Sequence, residues 1–374
     1  MTTPAYRSIL GTGSKVGDRY ADRIAEIVRA TDVQTAKRFA LLTLDSSNRV
    51  YNRAAVDLLA AELLAVAGAL HAELVDVNLQ TLGGVDYVVF TAHRLDGHDR
   101  FIVSNLSSVR ALFELHGDGL LAPLELEPLA YFTSDLVTIQ RYPGKTNEQF
   151  THLLSNLAVA ASSAAAERAA AQLPVRVLDP VAGRGTTLNR ALTYGYNVAG
   201  IEISAADFDQ YRTFLATYLK NNRIKHRISG EKVRKGPLAG SERLIVRIGG
   251  GQRLELVHGD TEQAAEMFPA RSFDVVVGDL PYGVQHRASA GGGKARSPFD
   301  LLAASLTGWR TVMRGGAALG LAWNTKTLPR VEVERLLSEH GFDIVEQPAS
   351  FEHVVDRSIL RDLIVARNGG ARTP

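Results

Sequence analysis

The 374-residue chain has no cysteine, two tryptophans and three methionines. Without cysteine there can be no disulfide, no thiolate nucleophile and no sulfur-ligated zinc or iron–sulfur site. Also missing is an uninterrupted apolar run of the ~20 residues that a membrane-spanning helix needs, and a basic-then-apolar leader at the N-terminus. The expectation is a cytoplasmic protein without a membrane partner. His93 and His98 stand apart from any metal-ligand spacing, so no metal is expected. Charge of one sign is lacking as well, the formal net charge being only +2. The sequence sets no oligomeric state.

That small total hides a skew. Residues 1–140 carry 12 Lys and Arg against 17 Asp and Glu, a net of −5, while residues 141–374 carry 30 against 23, a net of +7. An anionic polymer would therefore meet mainly the second part. Apolar content of 45% allows a full core, and the length suits two domains.

Strands are expected over Phe39–Leu44, Glu73–Leu79, Tyr87–Ala92 and Phe101–Ser104, and helices over Arg53–Leu70 and Ser108–Leu115. Together they make residues 1–140 a small α+β domain without evident chemistry, with substrate recognition as its open role. Pro123, Pro128 and Pro143 punctuate the passage to a second domain, residues 141–374. A helix capped by Thr146 or Asn147 should then run to Ala171.

The stretch from Val175 to Ser204, VRVLDPVAGRGTTLNRALTYGYNVAGIEIS, reads as buried strand, glycine turn, helix and second strand. Asp179-Pro180 stops the first strand, Gly183 and Gly185 allow a tight turn, and Glu202 ends the second strand. That is half of a doubly wound nucleotide-binding fold. Leu188 replaces the third glycine of a dinucleotide fingerprint, and no lysine follows Gly185 as a P-loop requires. A carboxylate at Asp179 would repel a pyrophosphate and attract a cation.

The pattern Asp-Pro-x-x-Gly-x-Gly-Thr resembles motif I of the class I S-adenosylmethionine (SAM) methyltransferases. The resemblance implies a Rossmann-like, seven-stranded doubly wound α/β sheet preceded by the smaller domain, and SAM as cofactor. It implies cofactor contacts from Asp179, Pro180, Ala182, Gly183, Gly185 and Thr186, from Glu202 on the ribose with Ile203 beside it, and from Asp260 on the adenine. A helix directly before motif I resembles the segment that closes over the methionine end of the cofactor in amino-methyltransferases, which adds Thr146 and Phe150. Later strands are expected over Leu254–Val257, Phe273–Val277 and Ala317–Ala322, with Phe342–Gln347 and Leu360–Ala366 as a closing antiparallel pair.

The strand expected over Phe273–Val277 runs through Gly278 into Asp279-Leu280-Pro281-Tyr282. An exocyclic amine on a base is a poor nucleophile because its lone pair is delocalised into the ring. A catalyst must hold the amine protons with acceptors, and the Asp279 carboxylate and Leu280 carbonyl can do so. Pro281 fixes the backbone without a competing N–H, and Tyr282 offers a face on which a flipped base stacks. Motif I followed by Asp-x-Pro-Tyr resembles the nucleic-acid amino-methyltransferases. Asp-Leu-Pro-Tyr-Gly is most similar to the THUMP-linked tRNA guanine-N2 enzymes, although residues 1–140 show no THUMP pattern. The resemblance implies an RNA partner, tRNA foremost.

Two basic stretches could meet its phosphates. One spans Asn221 to Arg253 and includes Lys232, Arg234 and Lys235. The other follows the tetrapeptide, with Arg287, Lys294 and Arg296. An adenine-N6 or small-molecule amine methyltransferase, and a SAM-binding protein without turnover, are the alternatives.

Overall fold

The computed structural model describes residues 36–46, 48–232, 238–282 and 297–369. A five-stranded antiparallel sheet comes first: β1 (Lys37–Thr43), β2 (Val75–Leu82), β3 (Val85–Ala92), β4 (Val109–Leu115) and β5 (Leu121–Leu124), in spatial order β2-β3-β1-β4-β5. Alternation along β1 sends Phe39 and Leu41 to one face and Ala40 to the other. On the first face lies the helix Arg49–Val66, whose start is capped by Asn48 accepting from the Val50 and Tyr51 N–H groups.

Two expected elements exchange identity. Residues Gly97–Ser104 are a helix and Val109–Leu115 a strand, the reverse of the expected strand and helix. Asp96 decides the first: it forms a capping box with Asp99, which starts a helix four residues before the apolar run. Pairing decides the second, because β4 is held between β1 and β5.

The second sheet has ten strands: β6 (Arg176–Asp179), β7 (Asn197–Glu202), β8 (His226–Lys232), β9 (Glu242–Ile248), β10 (Gln252–His258), β11 (Phe273–Asp279), β12 (Met313–Asn324), β13 (Phe342–Ile344), β14 (His353–Val354) and β15 (Leu360–Asn368). Their order is β13-β15-β12-β11-β6-β7-β10-β9-β8, with β14 paired to β15. Seven strands were expected, and the sheet has ten. The β8–β9 hairpin and the short β14 are additions. Strands β10, β7, β6, β11 and β12 are mutually parallel, whereas β15 closes antiparallel onto β12 and β13.

From β6 the chain steps outward through β7 to β10, then returns to β11 on the other side of β6. That reversal puts the topological switch point between β6 and β11, at whose carboxyl ends a doubly wound sheet holds its ligand. On one face of the sheet, Val177, Val198, Leu254 and Val275 pack in a core that runs on without a break to Phe39 and Phe90 of the first sheet and Leu59 of the helix on it. On the other face, Leu178, Ala199, Val276 and Leu319 pack with Trp309 from the helix Pro298–Val312.

The helix expected to run to Ala171 is two, Glu148–Ala161 and Ser163–Ala170. Ser162 leaves helical geometry and caps the second, its hydroxyl accepting from the Ala165 N–H. No described helix is long and apolar enough to cross a membrane.

Candidate active site

Strand β6 delivers Asp179, β7 delivers Glu202 and β11 delivers Asp279, all at their carboxyl ends. The turn after β6 is shaped by two glycines with φ of 51° at Gly183 and 80° at Gly185. At Gly185 a Cβ would lie 2.2 Å from a ring carbon of the buried Tyr211, so no other residue fits. A Cβ on Gly183 would meet nothing within 4 Å, which leaves open space over the turn.

The Glu202 carboxylate accepts from the Gly183 N–H and from the Ser204 N–H, each at 2.6 Å. Asp179 accepts from the Val181 N–H at 3.0 Å. Both acids are buried, and among the described residues neither has an ion-pair partner. Burial pushes each carboxyl up to about 7, and the neighbouring Asp279 and Glu202 add to the effect at Asp179. Two buried acids without a cation make a site complementary to a positively charged ligand. Ile203, next to Glu202, is 62% exposed, an apolar side chain left at the rim. Asp260 caps the turn after β10 by accepting from the Glu262 N–H at 3.1 Å. Pro180 and Ala182 are buried beneath the turn, and Thr186 opens the helix Thr186–Thr193.

Asp279 is the centre of a second set of contacts. Its carboxylate accepts from the Tyr282 hydroxyl at 2.6 and 2.8 Å, and from the Thr146 hydroxyl in a short hydrogen bond. Thr146, expected at the cofactor, therefore bonds directly to the catalytic candidate. Arg361 on β15 donates from Nε to the Tyr282 oxygen at 2.7 Å, and its guanidinium lies 4.0 Å from Asp279. It also lies over two rings, 4.7 Å from the Phe150 centroid and 5.1 Å from that of Tyr282. One face of Tyr282 is thus taken by a cation. Burial and the adjacent Asp279 hold the Tyr282 phenol well above its ordinary range. Phe150, also expected at the cofactor, is wholly buried and supports Arg361 from beneath.

Leu280 is buried in the second core, and its N–H donates to the Ala322 carbonyl at 2.8 Å, a bond that proline could not make. Pro281 is partly buried.

Sequence reasoning missed Arg361. The signal was present, because Arg361-Asp362 interrupts an apolar run otherwise fit for a buried strand, and a buried charge must be paired. Of the basic candidates, Lys232 is exposed on β8 opposite Glu242. Arg234, Lys235, Arg287, Lys294 and Arg296 lie outside the described residues.

No protein-family model matches the sequence, and no curated protein matches it. Solved structures do. TrmN from Thermus thermophilus is similar over 66% of this chain, with 18% identity and a TM-score of 0.37. The chain spans 55% of the length of that structure. The 16S rRNA N2 G1207 methyltransferase RsmC of T. thermophilus, in complex with AdoMet and guanosine, is similar over 54% of this chain and 37% of its own, with 15% identity and a TM-score of 0.29. TehB from Haemophilus influenzae is similar over 54% of this chain and 60% of its own, with 12% identity and a TM-score of 0.32.

Proposed function

We propose that the chain is a SAM-dependent N-methyltransferase acting on the exocyclic amine of a nucleobase, with guanine N2 of an RNA, tRNA foremost, as the substrate. The observation that carries this reading is the convergence of Asp279 with Asp179 and Glu202 at adjoining strand ends, the latter two buried without an ion-pair partner among the described residues. SAM is a cation through its sulfonium and its ammonium, and its ribose offers hydroxyl donors to a carboxylate. The residues fit it: Asp179 and Glu202 would hold the charged and ribose parts, Ile203 and Asp260 the adenine.

When bound, SAM supplies an electrophilic methyl group. The chain's own part is to present the amine. Asp279 accepts hydrogen bonds from the amine, pulls the nitrogen towards tetrahedral geometry and is the base placed to take the proton it sheds. The Leu280 carbonyl is the second acceptor, and the ring of Tyr282 stacks the base. Most of the barrier reduction then comes from positioning.

Residues 1–140 are a substrate-recognition unit in this reading. In support, the Asn147 amide donates to the Ser46 hydroxyl at 2.8 Å and the Gln149 amide to the Leu44 carbonyl at 2.8 Å, so the end of β1 abuts the residues next to Thr146.

Incubation with radiolabelled SAM and total RNA, followed by nucleoside analysis, tests the proposal. The label should co-migrate with N2-methylguanosine, and Asp279→Ala should lower turnover by roughly 100-fold or more while SAM affinity holds. Label in N6-methyladenosine would overturn the guanine assignment, and full activity in Asp279→Ala would overturn the mechanism.

A further inference from the structure

The β8–β9 hairpin places arginines in register. Arg227 on β8 lies opposite Arg247 on β9, and Arg247 opposite Arg253 on β10. The row continues through Asn197, whose side-chain oxygen accepts from the Arg253 N–H, to Arg176 on β6, which is paired with Asn197. Directly opposed residues share a face of the pleat. Four arginines therefore stand on one side of five adjacent strands, over about 19 Å at the usual 4.8 Å strand spacing. Their other neighbours in β9 settle which side this is. Leu244, Val246 and Ile248 are buried towards the core, whereas Arg227 and Arg247 are exposed.

Like charges directly opposed across strands destabilise a sheet, and little here offsets them. Glu255 is shared between Arg243 and Arg253, so it neutralises only one of the two. Arg227 and Arg247 have no ion pair with a described residue. The inner end of the row opens into a cleft of about 370 Å³ lined by Arg176, Asn197, Arg253 and Phe268. Lys232, by contrast, projects from the opposite side of the hairpin, across from Glu242.

We infer that this row is a docking lane for the phosphate backbone of RNA, away from the nucleotide that is methylated. The inference rests on the proposed RNA methyltransferase reading and adds where the polymer lies. A line of guanidinium groups at regular spacing matches a line of phosphates, each able to take two parallel N–H···O bonds. The row lies at the amino ends of the parallel strands, its inner end level with Asp274 and so about 17 Å from Asp279 along β11 at 3.3 Å per residue. Reaching both places at once takes an RNA segment that extends several nucleotides beyond the target base.

The test compares the full chain with the double variant Arg227→Gln/Arg247→Gln, and with the single variants Arg247→Gln, Arg247→Glu and Lys232→Gln, for binding to total tRNA across a salt series. In the double variant Kd should rise about ten-fold or more, and the log–log salt slope should flatten by roughly 0.7–0.9 for each lost contact. Arg247→Glu should bind more weakly than Arg247→Gln. An unchanged unfolding midpoint and SAM affinity in the same samples show that the fold is intact. Equal Kd and slope in the parent and the double variant overturn the lane while RNA methylation by the parent keeps the enzymatic reading. Loss confined to Lys232→Gln also overturns the lane. Single-stranded DNA of matched length that binds as well, with the same loss in the variant, overturns the assignment to RNA. No binding and no methylation of any RNA by the parent overturns the reading beneath it.

Discussion

The hydroxyl of Tyr282 donates to both carboxylate oxygens of Asp279, at 2.6 and 2.8 Å. In the free protein the residue that should stack the substrate base is thus also the residue that occupies its acceptor. In the proposed reaction a base amine approaching Asp279 would replace the phenol, and the ring would serve the base with the face that Arg361 leaves to it.

The two roles of Tyr282 separate by substitution. Tyr282→Phe removes the competing hydroxyl and keeps the ring, so kcat/KM should stay within about three-fold of the parent or rise. Tyr282→Ala removes the stacking surface, worth about 1–3 kcal/mol per base, and should lower kcat/KM about 10- to 100-fold. Equal losses in both variants would place the importance in the hydroxyl instead.

Arg361 is enclosed by Phe150 and Tyr282 and stands 4.0 Å from Asp279. Arg361→Met keeps much of the volume but leaves Asp279 without that cation and both rings without theirs. Unfolding in urea should show a loss of about 2–3 kcal/mol, with turnover reduced as Tyr282 and Asp279 lose their common anchor. A midpoint equal to the parent's would reduce Arg361 to a spectator.

The acids at the proposed cofactor position give a pH dependence of known sign. The carboxyls of Asp179 and Glu202 lie at about 7 in the folded protein, above the ~4 expected of the unfolded chain. Between those values the folded state binds more protons, so the stability of the free protein falls as pH rises from about 4 to 7. A cationic ligand selects the ionised carboxylates, so SAM affinity should increase from pH 6 to 8, with proton release. Calorimetry in two buffers of different ionisation enthalpy measures that release. Glu202→Gln should reduce both the affinity and its pH slope.

Gly185→Ala carries two penalties, a left-handed backbone and a methyl driven into the Tyr211 ring. Together they should cost about 2–4 kcal/mol. In a Tyr211→Leu background the steric part should diminish, so the same substitution there should cost less. Thermal melts of the four proteins decide whether the turn is fixed by that ring.

How much could be read from the chain differs by element. The β6–turn–β7 unit was legible because its signals are local: a short apolar run, two glycines spaced by one residue, and an acid at the next strand's end. The cap at Asn147 was legible for the same reason, since a cap is satisfied within three residues. Gly97–Ser104 and Val109–Leu115 were misread because seven or eight residues carry too little periodicity. A capping box in one and two neighbouring strands in the other decided them.

The residues themselves determined the reaction class proposed for this chain. Asp279, its following Leu-Pro-Tyr and the glycine turn after Asp179 are contiguous patterns whose chemistry depends on residue type and order. Tertiary structure decided everything that needs two distant segments to meet. It brought Arg361 and Thr146 to Asp279 across 82 and 133 positions of chain. It also sorted the basic stretch from 221 to 253 onto the two sides of a hairpin, where strand register aligned Arg227, Arg247 and Arg253. Register is set by which residues are buried on the opposite face, and no reading of the stretch as a string contains that information.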